Sequence, residues 1–401
     1  MTQIKLPPTN PGRFTDKTLS ISVCQPRTIK CDVIFIVAGH NTTHQSDYCM
    51  RILLLIFGCL ALLGCQPNQQ GDHNQGSLKT DKHKAILEDA EKEPLISAQR
   101  PAFTSAGMHI NHIQFVGSHN SYKQAMPDGF VKQLMKINPK VLEGLEYEHA
   151  PLAEQLDLGI RKLELDVFYV AYEDRFLVGH VQQIDMNSNC ATLRICLTQV
   201  VDWSQNNPTH APLWISFNAK DGHIRGLPSP EAFSPVVFAL MDAIVEEVLG
   251  EKLIRPRDIV DLQWPLLDEA RGKFILVLDE GGAKRDMYYD GWQQRPMFTS
   301  APEGHPAAAI MIINDPVGQF NEIQRLVKAG YMVRTRADAD TREARENDTR
   351  RRAAAFASGA QAVSTDYYLP ATHFGNEYQV SLPQPVQCNP ITAPANCQVS
   401  E

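Results

Sequence analysis

The sequence predicts an α/β fold. We expect a single catalytic domain built as a TIM-like (β/α)8 barrel, in which some strands and helices depart from the regular pattern. From Ile110 onward, short apolar runs alternate with longer helix-like runs, which favours parallel strands joined by crossover helices. About eight strand candidates fall within roughly 260 residues, a spacing that suits a closed barrel better than a doubly wound sheet. No glycine-rich phosphate loop follows the first strand, which counts against a dinucleotide-binding fold.

The predicted elements follow one another in a regular order. The strands are expected at 113–116, 161–168, 175–178, 212–217, 273–278, 308–313, 331–335 and 362–364. The helices are expected at 190–205, 230–249, 320–329 and 341–358. Because the carboxyl ends of parallel barrel strands open on one face, the polar residues that follow these strands should meet there.

The chain before the barrel has the features of an exported lipoprotein. Met50 and Arg51 precede twelve apolar or small residues, 52–63, a run too short to span a membrane. The motif Leu-Leu-Gly-Cys that ends at Cys65 closely resembles the bacterial lipobox, so we expect Cys65 to be lipidated. Residues 1–49 lack signal-like order and precede an in-frame Met, which indicates a mis-assigned start. A buried apolar helix, or a cytoplasmic tail before a membrane anchor, are the alternatives.

These features give a predicted domain order and location. We expect an upstream segment at 1–49, a signal peptide at 50–65, a polar tether at 66–105, a catalytic barrel at 106–372 and a Pro- and Cys-containing extension at 373–401. The mature protein should be a membrane-anchored lipoprotein that faces the periplasm or the cell exterior. We expect it to be a monomer.

Four of the nine cysteines lie beyond Cys65, in two close pairs. An even number of cysteines in an exported chain predicts disulfides, here Cys190–Cys196 and Cys388–Cys397. A metal site is the weaker alternative because neither pair has the spacing of zinc ligands.

Composition excludes some partners. Hydrophobic residues make up 43% and charged residues 21% of the chain, as in ordinary globular proteins. The net charge of −8 argues against a nucleic-acid partner, which would require a basic face. A weakly acidic protein that binds an anionic substrate needs local positive charge, and a bound cation is one source of it.

Glu164 and Asp166 are two residues apart on a predicted strand, so both side chains point to the same face. Carboxylates inside a barrel are costly to desolvate unless a cation or a donor compensates for them. A hard divalent cation with oxygen ligands is the natural partner. The alternative is a salt bridge to Arg161 or Lys162.

His119 and His180 each end an apolar segment. A lone histidine is more often a satisfied core residue, but two on one barrel face beside a metal site suit proton transfer near neutral pH. Splitting a phosphodiester with an internal hydroxyl requires one group that accepts a proton and another that delivers one. The pair therefore predicts metal-assisted phosphodiester chemistry.

These residues together resemble the catalytic half of phosphoinositide-specific phospholipase C, and more closely its bacterial calcium-dependent branch. The resemblance rests on the motifs His119-Asn120-Ser121-Tyr122, Glu164-Leu165-Asp166 and Gly179-His180. It covers about 110–370, including the cysteines at 190 and 196 and the stretches 203–208, 213–221, 333–340 and 359–368.

The resemblance implies roles for the site residues. His119 and His180 correspond to the acid–base pair, and Asn120, Glu164 and Asp166 to ligands of Ca2+. It implies cleavage of phosphatidylinositol-type phospholipid to diacylglycerol and a cyclic inositol phosphate. The calcium-independent bacterial enzymes have a basic residue where this chain has Asp166, which favours the metal-dependent branch.

One position departs from the family pattern. Members usually carry Glu where this chain has Asn218, whose amide oxygen is still a candidate ligand. The site thereby loses one negative charge, which should weaken calcium binding. Lys220 on the same strand face, and Arg336 and Asp366 near the barrel mouth, are candidates for substrate binding. Asp338 is expected to be a solvated loop charge.

Two other functions stay open. A glycerophosphodiester phosphodiesterase uses a related barrel with two carboxylates and two histidines, but normally shows His-Arg-Gly where this chain has His119-Asn120-Ser121. A catalytically weakened, surface-anchored binding protein is favoured by Asn218 and disfavoured by the intact histidine pair. The expected substrate is a phospholipid or a small phosphodiester.

Overall fold

The computed structural model describes residues 107–173, 175–225 and 227–401. The predicted upstream segment, the signal peptide with Cys65 and the whole predicted tether lie outside these residues. Within the described ranges, no helix is both long and apolar enough to cross a membrane.

The described residues form one eleven-stranded sheet. Its strands are β1 (Ile113–Ser118), β2 (Lys162–Val170), β3 (Arg175–Val178), β4 (Leu213–Ala219), β5 (Leu253–Ile254), β6 (Phe274–Leu278), β7 (Phe298–Thr299), β8 (Ile310–Ile312), β9 (Met332–Arg336), β10 (Ala362–Thr365) and β11 (Val386–Cys388). Eight strands lie side by side in parallel, in the order β5-β6-β4-β2-β1-β10-β9-β8, and β7 pairs in parallel with the second half of β6. The prediction of a TIM-like barrel is confirmed. It is incompletely closed, since no hydrogen-bonded pairing among the described strands joins β7 to β8.

The third predicted strand is present, but its direction was wrongly predicted. β3 pairs antiparallel with β2, with Val167 opposite Val178 and Val170 opposite Arg175. A short connection after Val170 allows only a hairpin, because a parallel crossover needs a dozen residues or more. β3 therefore extends β2 beyond the barrel and returns the chain to the barrel mouth.

The strands alternate with ten helices in the described part of the chain. They are α1 (Asp128–Ile137), α2 (Pro139–Leu145), α3 (Leu152–Asp157), α4 (Leu193–Asn206), α5 (Pro235–Leu249), α6 (Leu267–Ala270), α7 (Gly282–Tyr289), α8 (Phe320–Lys328), α9 (Arg342–Glu346) and α10 (Arg350–Ala357). Thr192 and Ser234 cap α4 and α5 with their hydroxyl oxygens. The helix predicted at 341–358 is two helices, because Asn347 has a left-handed backbone with φ of 51°.

Two apolar layers hold the barrel together. Outward-facing strand residues such as Leu163 and Leu165 pack against the helices. Inside the barrel, Phe115, Trp214 and Met332 belong to a second buried cluster that forms an apolar floor. Because side chains alternate along a strand, the next inward-facing positions lie above this floor, and these are the polar residues of the mouth.

Both predicted disulfides are present. The Cα atoms of Cys190 and Cys196 are 5.1 Å apart, and those of Cys388 and Cys397 are 6.0 Å apart. Disulfides indicate an extracytoplasmic protein. The second one ties down β11, which pairs antiparallel with β1 and so attaches the C-terminal extension to the barrel.

Candidate active site

His119 stands at the end of β1 and is held by Asp366, which follows β10. Nδ1 of His119 lies 2.7 Å from Oδ1 of Asp366, and a guanidinium nitrogen of Arg336 lies 3.2 Å from Oδ2. When Nδ1–H donates to this carboxylate, Nε2 is left as the basic nitrogen. Arg336 and Asp366, predicted from sequence as substrate-binding residues, thus both lie directly at His119.

The protonation states of this cluster follow from its burial. The His119 side chain is 18% exposed, and burial, followed by the charge of Arg336, lowers the pKa of its imidazole. Burial works against ionisation of Asp366, but His119 and Arg336 outweigh it and lower its pKa to about 2. A neutral His119 that donates to an ionised Asp366 is a suitable general base.

Asp338 lies behind Asp366 and is fully buried, so the prediction of a solvated charge is wrong. It accepts the backbone N–H of Asp366 at 2.8 Å and the hydroxyl of Thr365. Burial, followed by the negative charge of Asp366, raises the pKa of Asp338 to about 7. Asp338 therefore fixes the loop that carries the His119 partner.

His180 follows β3, which runs antiparallel to β2, and it lies at the same mouth because the N–H of the preceding Gly179 donates to the backbone carbonyl of Asp166 at 3.2 Å. Its Nδ1 lies 3.0 Å from Oδ2 of Asp185, and Lys123 binds the same oxygen at 3.3 Å. Burial would raise the pKa of Asp185, but the hydrogen bond from His180 and the charge of Lys123 outweigh it and lower this pKa. Each candidate catalytic histidine is therefore oriented by a buried carboxylate.

Asp185 was not predicted from the sequence. The available signal in the sequence was its position five residues after His180. In the structure a tight loop joins the two residues, and it is closed by two backbone hydrogen bonds that Val181 and Asp185 exchange. Neither the loop nor the buried Lys123 has a recognisable sequence pattern.

Replacing Asp185 with Asn should lower kcat about tenfold or more with little change in KM, because the amide no longer fixes the ring orientation of His180. Steady-state kinetics across pH measures this effect and any change in the pH profile. Asp242→Asn is the matched control, since Asp242 is a buried carboxylate on α5 that binds Tyr288 and Arg295. An equal loss in both variants would indicate general destabilisation and contradict the positioning role.

Glu164 and Asp166 share the inner face of β2, as the spacing predicts, and both are buried. Oε2 of Glu164 contacts Lys162 and lies 2.7 Å from a guanidinium nitrogen of Arg334. Oδ2 of Asp166 lies 3.0 Å from the Lys220 ammonium. The salt bridge to Lys162, considered as the alternative, is therefore present.

The other alternative partner of the carboxylates, Arg161, faces away from them. Its guanidinium binds the carboxylate of Glu401 and two backbone carbonyls at 2.8 Å. Lys162 is fully buried beside Glu164, and burial lowers the pKa of its ammonium to about 8. Burial alone would raise the pKa of Glu164, but Lys162 and Arg334 hold it well below its ordinary range.

The two asparagines complete the set of candidate ligands. Asn120 adopts a left-handed backbone with φ of 48°, a conformation that Asn tolerates well, and its amide donates to Tyr147 Oη at 2.7 Å. Asn218 lies opposite Asp166 across β2 and β4, with its amide nitrogen 3.4 Å from Oε1 of Glu164. Glu164, Asp166 and Asn218 thus lie side by side on neighbouring strands, and Asn120 comes directly before Ser121, whose N–H donates to the Glu164 carbonyl at 2.9 Å.

The donor set fits calcium in chemical type. Among the described residues, no group of three or more His, Cys, Asp or Glu side chains is arranged to hold a metal ion. The candidates are instead two carboxylates and two amides, and calcium takes both kinds of oxygen. Glu164, Asp166 and Asn120 would hold the ion, with Asn218 offering its carbonyl after rotation of the amide.

Arg334 was also missed, although it follows a simple pattern. Arg334 and Arg336 alternate along β9 as Glu164 and Asp166 do along β2, so both arginines point inward. The guanidinium of Arg334 also binds Oγ of Ser364 at 3.0 Å and the side chain of Asn314. Arg334 and Arg336 therefore place positive charge opposite the carboxylates of β2.

A cavity of about 430 Å³ opens beside Asp366. Its wall is largely apolar or aromatic and carries carboxylates at the edge; it includes Met126, Val131, Leu142, Leu145, Tyr147, Tyr368, Leu369, Glu146 and Glu148. Its size is within the range of ordinary ligand pockets.

The fold is a TIM-like barrel, and a match to a family model defines its class as that of the phosphodiesterases. The sequence model of the family described as "Phosphoinositide phospholipase C, Ca2+-dependent" matches residues 108–176 and 170–390. The chain belongs to this family, as the sequence motifs predicted. A comparison with curated proteins gave no match.

Several solved structures are similar to this chain. A calcium-dependent phosphoinositol-specific phospholipase C from Pseudomonas sp is 16% identical, with a TM-score of 0.47, over 71% of this chain and 96% of that one. A Ca2+-dependent phosphatidylinositol-specific phospholipase C from Streptomyces antibioticus is 18% identical, with a TM-score of 0.45, over 65% and 96%. A putative glycerophosphoryl diester phosphodiesterase from Silicibacter pomeroyi is 13% identical, with a TM-score of 0.34, over 66% and 95%.

Proposed function

We propose that this protein is a calcium-dependent phosphodiesterase that cleaves phosphatidylinositol-type phospholipid to diacylglycerol and a cyclic inositol phosphate. The observation that carries the proposal is the pair of histidines at one barrel mouth, each bound to its own buried carboxylate. Arg336 and Lys220 bring positive charge to the mouth, which supports the binding of a phosphate. The apolar cavity beside Asp366 suits a lipid substrate.

The proposed reaction is an attack of the inositol 2-hydroxyl on phosphorus. His119 accepts the hydroxyl proton at Nε2 while Asp366 keeps Nδ1 protonated and the ring in place. A new bond forms between the inositol oxygen and phosphorus, and the bond from phosphorus to the diacylglycerol oxygen breaks. His180 delivers a proton to that oxygen, and Asp185 holds the His180 ring.

The remaining residues bind and orient the substrate. Arg336 and Lys220 are proposed to contact phosphate oxygens from two sides of the mouth. Calcium, when bound at Glu164, Asp166 and Asn120, offsets part of the phosphate charge. Attack by a neighbouring hydroxyl of the same molecule benefits from a high effective concentration.

The test is an assay of the purified protein on a panel of phosphodiesters with and without calcium. We expect turnover of phosphatidylinositol in the presence of calcium, with release of diacylglycerol. Turnover of glycerophosphocholine or glycerophosphoinositol, with phosphatidylinositol left intact, would contradict the proposal and favour a glycerophosphodiester phosphodiesterase.

A catalytically weakened binding protein is the second candidate. Asn218 favours this candidate because it brings no negative charge to the candidate calcium site. The cations that are already paired with Glu164 and Asp166 favour it as well. A protein that binds inositol phosphates but turns over no substrate at any calcium concentration would support this candidate.

We also propose that the mature protein is a lipoprotein that begins at Cys65 and acts on membrane lipid as a monomer. The lipobox-like sequence and the disulfides support export. Mass spectrometry of the mature protein should find a lipidated Cys65, and Cys65→Ala should accumulate as an unlipidated precursor. Residues 1–49 intact on the mature protein would contradict this proposal.

A further inference from the structure

A lysine is buried directly beneath the candidate calcium ligand Glu164. Lys162 lies two residues before Glu164 on β2 and on the same face, with its side chain fully buried. Its ammonium contacts Oε2 of Glu164 and lies 3.4 Å from the backbone carbonyl of Ser118. The lysine therefore ends inside the barrel and does not extend to solvent.

The neighbouring strand is built to accommodate this side chain. Gly117 on β1 lies opposite Lys162 in the sheet. A Cβ atom at Gly117 would lie 2.4 Å from Cβ and 2.6 Å from Cδ of Lys162. Glycine at this position leaves space for the stem of Lys162 alongside β1. The barrel interior therefore accommodates this lysine through the missing side chain of Gly117.

A second buried cation binds the same carboxylate oxygen. Arg334, whose side chain is 2% exposed, donates to Oε2 of Glu164 at 2.7 Å. Ser364 and Asn314 accept hydrogen bonds from the same guanidinium. Lys162 and Arg334 therefore fix one oxygen of Glu164, while Oε1 faces His119 at 3.5 Å and Asn218 at 3.4 Å.

The charges around the candidate ligands are already balanced by the protein. Glu164 and Asp166 carry two negative charges, and the three cations in contact with them carry three positive ones. Asp279, whose carboxylate lies 3.8 Å from the guanidinium of Arg334, adds a third negative charge, so the local sum is zero. Asn218 adds no negative charge. Since calcium affinity depends on the number of charged ligands, a metal ion in this position is attracted less strongly than it would be by two carboxylates alone.

We propose that Lys162, supported by Arg334, sets the affinity of the site for divalent cations by holding Glu164 in place while it lowers the net negative charge that calcium encounters. The inference rests on the proposed function, since it assumes that Glu164 and Asp166 hold calcium. It assigns to Lys162 an affinity-setting role and no part in proton transfer. The wild-type site should consequently bind calcium weakly in the absence of substrate.

The test is a calorimetric titration of the intact protein with calcium chloride. Lys162→Met removes the charge and keeps an unbranched side chain that is one atom shorter. We expect its dissociation constant for calcium to be about tenfold lower than in the wild type or lower still. Its unfolding temperature should also rise more on addition of calcium, because a tighter ligand stabilises the folded state more.

Lys123→Met is the matched control. Lys123 is also fully buried and ion-paired, but its partner is Asp185 and not one of the candidate ligands. This variant should keep the wild-type calcium affinity. If Lys162→Met does not fold, Lys162→Gln provides a neutral side chain that still donates to Glu164, and the same tightening is expected.

The outcomes separate this inference from the function on which it rests. Suppose that the folded Lys162 variants keep the wild-type calcium affinity while a chelator abolishes the activity of the wild type. This result would overturn the inference but leave the proposed function intact. Equal tightening in Lys123→Met would also overturn it. If neither wild type nor variants bind calcium and the activity survives chelation, the calcium part of the proposed function fails and the inference fails with it.

Discussion

Replacing either His119 or His180 with alanine should lower turnover by about 100-fold or more, because each transfers a proton in the proposed reaction. The substrate phosphate would still be held by the cations of the mouth, so binding of a substrate analogue should survive. The double variant should lose less than the product of the two single losses, since the two histidines act as a unit. Single-turnover kinetics on phosphatidylinositol together with a binding titration measures both quantities.

His210→Ala is the control for loss of a buried imidazole. His210 bonds to Ser204 at 2.8 Å and to the carbonyl of Ala211, away from the mouth. Turnover per folded molecule should be close to wild type in this variant. Full turnover in His180→Ala would contradict the mechanism, and an inactive wild type that still binds inositol phosphates would favour a binding protein.

Removal of calcium with a chelator should abolish the activity, and addition of calcium should restore it. The reason is that calcium, held by Glu164, Asp166 and Asn120, would offset part of the charge of the substrate phosphate. Rates measured over a range of buffered free calcium concentrations test this expectation. Undiminished turnover in metal-free buffer would remove the metal assignment and would leave Arg336 and Lys220 as the charges that bind phosphate.

Much of the fold follows from local patterns. All eight predicted strands are present. They could be predicted because apolar runs of strand length recur between amphipathic segments, and such patterns are visible locally in the sequence. β5 and β7, each two residues long, escaped prediction because two residues carry no periodic signal. The direction of β3 was wrongly predicted because regular strand–helix alternation implies parallel strands, whereas the short connection after Val170 permits only a hairpin.

The site was predictable where one strand carries it and not where distant strands meet. Glu164 and Asp166 were placed on one face by the two-residue period of a strand. Arg334 meets Glu164 across 170 positions of sequence, through barrel curvature that no local pattern encodes. Lys162 was visible from the same period, but only the structure brings its ammonium beneath Glu164.

Phosphorus NMR of phosphatidylinositol vesicles during turnover in calcium-containing buffer tests the central claim most directly. Internal attack predicts that a cyclic inositol phosphodiester appears first, together with diacylglycerol, and that both form about 100-fold more slowly or slower still in His119→Ala. An acyclic inositol monophosphate as the first product would contradict attack by the neighbouring hydroxyl. A wild-type protein that leaves phosphatidylinositol intact but releases glycerol phosphate from deacylated phosphodiesters would contradict the account as a whole.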